Sequence, residues 1–71
     1  MNADARTRLG KRLRALRNKH GLTQQRLAEL ADLDYKHVQL LEGSRPPYAR
    51  LDTLEKLAKA FGMTLSELLN R

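Results

Sequence analysis

Seventy-one residues allow one domain spanning 1–71 with a thin core, because a chain of this size buries only ~60% of the surface its unfolded form exposes. Without cysteine there is no disulfide framework and no thiolate metal site, two histidines cannot complete a zinc shell, and apolar runs are too short for a transmembrane span or signal-peptide core. A soluble, cytoplasmic chain with no cofactor and no metal is expected, and its net charge of +6 and pI near 10.3 point to a polyanionic partner.

Half of the fourteen basic residues (Arg6, Arg8, Lys11, Arg12, Arg14, Arg17 and Lys19) fall in the first twenty positions. In the same stretch Leu9, Leu13 and Leu16 recur at helical spacing and Gly21 follows as a stop, which predicts a first helix over about 4–20. Next, one pattern occurs three times: an apolar residue, a capping residue, then an apolar residue five positions after the first. It runs from Leu22-Thr23 to Leu27, from Leu33-Asp34 to Val38, and from Met63-Thr64 to Leu68. The capping side chain accepts from a free amide of the first turn and the apolar pair staples the helix start, so helices are predicted over about 24–31, 35–42 and 65–70. Thr64 with Glu67 adds a capping box at the last of these. Leu54, Leu57, Ala58 and Phe61, ended by Gly62, predict a further helix over about 51–61. The fold class is therefore all-α: a compact bundle of five helices, with the two prolines in a loop over about 43–50.

Only Asp32, Leu33 and Asp34 separate the second and third helices, the short turn that crosses two helices in a helix-turn-helix. Position 32 needs a left-handed backbone, which aspartate tolerates better than most residues. Along the third helix, at about 100° per residue, Val38 and Leu41 face inward with Glu42 beside them. Lys36 and Leu40 then face outward, Gln39 and His37 flank them, and Tyr35 sits at the outer edge of the first turn. This set suits a DNA major groove: lysine donates to guanine O6/N7, glutamine pairs with adenine, and an aliphatic group meets a thymine methyl. Arg45 and Arg50 of the long loop are candidates for phosphate contacts.

From Leu9 to Leu69 the chain closely resembles the phage-repressor or xenobiotic-response-element helix-turn-helix family, the Cro and lambda-repressor-like proteins. Leu9-Gly10, Leu13, Leu16-Arg17 and Gly21-Leu22-Thr23-Gln24 are similar to its first helix and the start of the second. Leu27-Ala28 and Val38 to Glu42 resemble its turn and recognition helix, and Leu51 to Gly62 its fourth helix. The resemblance implies that Gln24 reaches the DNA backbone and braces recognition-helix side chains, that Tyr35, Lys36, Gln39 and Leu40 read bases, and that Arg17 pairs with Glu42. Thr23 and His37 join Gln24 as candidate backbone contacts. The loop departs from the family pattern, because Gly43 follows Glu42 directly where a glycine two residues on is common.

These readings lead to a sequence-specific, double-stranded DNA-binding transcriptional regulator, a dimeric repressor on a palindromic operator. A homodimer is expected because one small module makes few contacts, with Met63, Leu65, Leu68 and Leu69 of the last helix as the interface. The alternative is an antitoxin or adaptor whose main partner is a protein, a toxin or another regulator, using exposed Leu30, Leu40 and Tyr48. An enzyme is not expected: the chain holds no Ser/His/Asp set, paired carboxylate motif, phosphate-cradling glycine loop or metal-ligand spacing. His20 reads as a helix-end residue, and the scarcity of aromatics argues against structured RNA as the partner.

Overall fold

The computed structural model describes residues 4–70; positions 1–3 and 71 of the expected 1–71 domain lie outside them. Five helices follow in order, α1 (Ala5–Lys19), α2 (Gln24–Ala31), α3 (Tyr35–Leu41), α4 (Leu51–Ala60) and α5 (Leu65–Leu69). Each departure from the expected boundaries is a single residue, and each is a cap: Asp4, His20, Glu42, Phe61 and Asn70 flank helices instead of belonging to them. Among the described residues there is no strand, and no helix is long and apolar enough to cross a membrane.

Three of the four joints between helices share one construction. At Gly21 (φ 67°), Asp32 (φ 56°) and Gly62 (φ 70°) the backbone turns left-handed. In each case the next residue sends its N–H back five positions: Leu22 to Arg17 O, Leu33 to Ala28 O and Met63 to Ala58 O, each at 2.9 Å. Helix carbonyls left free by the ended ladder are thereby satisfied. Leu22, Leu33 and Met63 pack against the core and also precede the N-cap of the next helix. One apolar side chain thus closes one helix and staples the following one. Thr23 accepts from Arg26 N at 3.0 Å, and Thr64 forms the full capping box with Glu67. Asp34 departs from the expectation, since its side chain makes no capping bond and α3 starts on backbone geometry and packing alone.

The core is built from Leu13, Leu16, Leu27, Ala28, Ala31, Val38, Leu41, Leu57, Ala58, Phe61 and Leu68. At the end of α1 the His20 ring packs on Phe61 with centroids 5.3 Å apart. Arg12 reaches from α1 to the last turn of α5, donating from Nε to Leu68 O at 3.1 Å and from Nη2 to Glu67 O at 2.9 Å. It holds a five-residue helix that is too short to be stable alone. At the start of α1, Arg6 is held by Asp4 at 2.9 Å and lies 4.1 Å over the Tyr48 ring, which ties the long loop to the helix. Those hydrogen bonds from the Arg6 side chain and backbone lower the Asp4 carboxyl to about 2.

Gly10 is where α1 meets the end of α3. A Cβ at this position would collide with the backbone carbonyl oxygen of Leu41 and lie 3.5 Å from Glu42 Cα. On helix propensity alone Gly10→Ala gains about 0.5–1 kcal/mol. The collision is with backbone, so we expect the sign to reverse and the variant to lose about 1–3 kcal/mol, read as a lower urea midpoint with an unchanged slope. A stabilised Gly10→Ala would show that the two helices are not in contact there.

Candidate nucleic-acid interface

Helix α3 carries one buried side and one open side. Val38 and Leu41 are buried under α2 and α1, and from that period of 3.6 the outer residues follow: Tyr35 (45% exposed), Lys36, Gln39 and Leu40 (48% exposed) stand together in solvent. His37 is half-buried beside them. Among the described residues none of these side chains makes a hydrogen bond or ion pair within the chain. The expected reading set is thus brought to one face with its polar groups free.

What fixes that face is a carboxylate. Glu42 caps the end of α3, and its side chain is 0% exposed. Arg17 grips it side-on, Nε to Oε2 and Nη2 to Oε1 both at 2.9 Å, and spends its remaining nitrogen on Leu22 O at 2.9 Å. Hydrogen bonds to Glu42 push the Arg17 guanidinium up from its ordinary value. Gln24, the first residue of α2, donates from Nε2 to Glu42 Oε1 at 3.2 Å. Arg14 approaches from the open side, with Nε 3.7 Å from Oε1 and Nη2 3.5 Å from Glu42 O. A buried carboxylate demands several such donors, and here they come from α1 and α2, so the end of α3 is locked to both.

The pair of Arg17 and Glu42, expected from the family resemblance, is thus present in close geometry. Sequence reasoning missed Arg14 and the Leu22 carbonyl; the three-residue spacing of Arg14 and Arg17 on one helix face was the available signal. Gln24 braces Glu42 instead of an outer side chain of α3. Thr23 has its oxygen engaged by Arg26 N. In the loop, Arg45 is exposed, whereas Arg50 lies 3.3 Å from Asp52 and is partly compensated.

The expected dimer set divides. Leu69 is 54% exposed, and Met63 and Leu65 are half-buried, but Leu68 is 0% exposed. Leu68 is therefore corrected from interface to core: α5 packs against α4, Arg12 of α1 holds its last turn, and its inner leucine fills the chain's own interior.

Removing Arg17 leaves Glu42 buried beside weaker donors. We expect Arg17→Ala to cost about 3–5 kcal/mol, while replacing both residues by apolar ones of similar volume recovers most of it. Urea denaturation of the three proteins checks this; an Arg17→Ala variant as stable as the wild type would mean that water reaches the carboxylate.

Comparisons with known proteins agree with this geometry. Residues 12–71 match the Cro/C1-type HTH DNA-binding domain. The HTH-type transcriptional regulator PuuR of Escherichia coli K12 is 41% identical over 58 residues, covering 82% of this chain and 31% of its own length, and that of Shigella flexneri matches equally. This chain thus spans less than a third of those relatives. The crystal structure of the restriction-modification controller protein C.AhdI from Aeromonas hydrophila superposes with a TM-score of 0.82 at 36% identity, covering 89% of this chain and 94% of that one. With this match over most of its length and the locked, outward-facing third helix, the chain belongs to the Cro/C1-type helix-turn-helix DNA-binding domain family.

Proposed function

We propose that this chain is a sequence-specific regulator of transcription that lays α3 in the major groove of double-stranded DNA and works as a dimeric repressor on a palindromic site. One observation carries the reading: Tyr35, Lys36, Gln39 and Leu40 project from a helix whose other side and last residue are immobilised. A backbone already fixed loses little freedom on binding and holds its side chains in one register, which is what base discrimination requires. Lys36 and Gln39 supply the donors and acceptor for purine edges, and the exposed Leu40 supplies a thymine-methyl contact. Similarity to PuuR regulators and to a restriction-modification controller protein supports a regulatory role. Thr23, His37, Arg45 and Arg50 then serve the backbone, positioning α3 without reading sequence.

Pairing of two copies rests on α5. After the correction of Leu68, the exposed Leu69 with the half-buried Met63 and Leu65 forms the apolar surface a second copy covers. The two reading helices would then meet half-sites about one helical turn apart.

Selection of bound duplexes from random DNA tests the base-reading role. The wild type is expected to enrich a palindromic motif, and Lys36→Ala and Gln39→Ala each to relax it at one position per half-site, by about 1–3 kcal/mol of discrimination. Unchanged motifs in both variants would assign the reading to another face. Sedimentation tests the pairing: Leu69→Glu, at an exposed position, should shift dimer to monomer without lowering the helix content, and a wild type that stays monomeric on its DNA would refute it.

A further inference from the structure

We propose that a trench between α1 and the first residues after α3 is a second DNA-backbone site, holding phosphates that flank the bases α3 reads; this rests on the DNA reading above and extends it to α1. Thr7, Lys11 and Arg14 follow one another at helical spacings of four and three and form a single stripe on α1. Because Gly10 brings α1 against the Leu41 carbonyl, that stripe lies beside Gly43 and Ser44, at the end of the reading helix. The result is a groove of about 340 Å³ lined by Thr7, Lys11, Arg14 and Ser44. A second of about 300 Å³ shares Thr7 and Ser44 with it and ends at Arg45.

The uncompensated charges lining this trench have one sign. Among the described residues its one carboxylate, Glu42, has a side chain that is 0% exposed and is gripped by Arg17. Arg6, at the far end, is compensated by Asp4. That leaves Lys11, Arg14 and Arg45 as three positive charges with hydroxyls of Thr7 and Ser44 between them. Among the described residues Lys11 and Arg45 make no ion pair. Arg14, with its side chain 59% exposed, shares a carboxylate that Arg17 already neutralises. By contrast, the groove between α4 and α5 mixes Lys59 with Glu55 and Glu67. Like charges with hydroxyls between them match phosphodiester oxygens, which take charge-assisted hydrogen bonds and carry no sequence information. Gly43 lies against the backbone carbonyls of Gln39 and Leu40, so the trench borders the C-terminal end of α3, and a strand whose bases meet that helix continues into it.

The test is the salt dependence of binding to a duplex the wild type selects. Each phosphate neutralised contributes about 0.9 to the slope of log K against log salt concentration. Lys11→Gln is therefore expected to lower that slope by about 0.9, and Lys11→Gln with Arg14→Gln by about 1.8. Base preference should be retained, and Lys59→Gln, in the mixed groove, should change nothing. Lys11 makes no hydrogen bond or ion pair among the described residues, so its variant decides the matter even if loss of Arg14 perturbs Glu42. A wild-type slope in Lys11→Gln, or an equal loss in Lys59→Gln, overturns the trench while leaving α3 as reader. A wild type that enriches no duplex and binds without salt dependence overturns the DNA reading itself.

Discussion

Glu42 ends the third helix with a carboxylate that water does not reach, and the positions of three helices follow from satisfying it. Taking such a charge out of water costs several kcal/mol, so donors must converge on it from whatever elements lie near. Arg17 comes from the last turns of α1 and Gln24 from the first residue of α2. The same guanidinium also holds Leu22 O, at the joint between α1 and α2. A shift of α3 along or about its axis would strip the carboxylate of these donors together. In a domain whose total stability is on the order of 5–15 kcal/mol, that penalty fixes a helix of only seven residues.

The rest of the architecture supports the same end. At each of three joints a left-handed residue is followed by an apolar one that closes the helix behind it and staples the helix ahead. Such joints leave few conformations to choose from, which suits a chain with little core. Gly10 then lets α1 approach α3 at backbone distance, which is what places Arg14 and Arg17 within reach of Glu42. The proposed function follows from this arrangement, because the open side of α3 is held by contacts made entirely on its other side.

Local signals make much of this legible in the order of residues alone. Capping pairs and apolar spacing locate five helices, and the period of 3.6 separates Lys36 and Leu40 from Val38 and Leu41, because both signals act within a turn or two of chain. The left-handed turn at Asp32 is likewise readable from the brevity of its connection. What stays hidden depends on which helices touch. Gly10 reads as an isolated helix glycine, yet its neighbour in space is the Leu41 carbonyl. Leu68 reads as exposed because a short terminal helix has more apolar surface than it can bury alone, and Arg12, fifty-six residues away, closes it down. Asp34 occupies a capping position without its side chain capping. The pairing of Arg17 with Glu42 is visible only through family resemblance, since twenty-five residues separate them.

The open side of α3 is the surface proposed to meet DNA bases. The most direct measurement is a map of backbone amide and Gln39 side-chain NMR shifts during titration with a selected duplex. The largest changes are expected over Tyr35 to Leu40, with the Gln39 amide protons moving strongly as they pair with a base. Changes concentrated on α4 and α5, with Tyr35 to Leu40 left where they were, would contradict it.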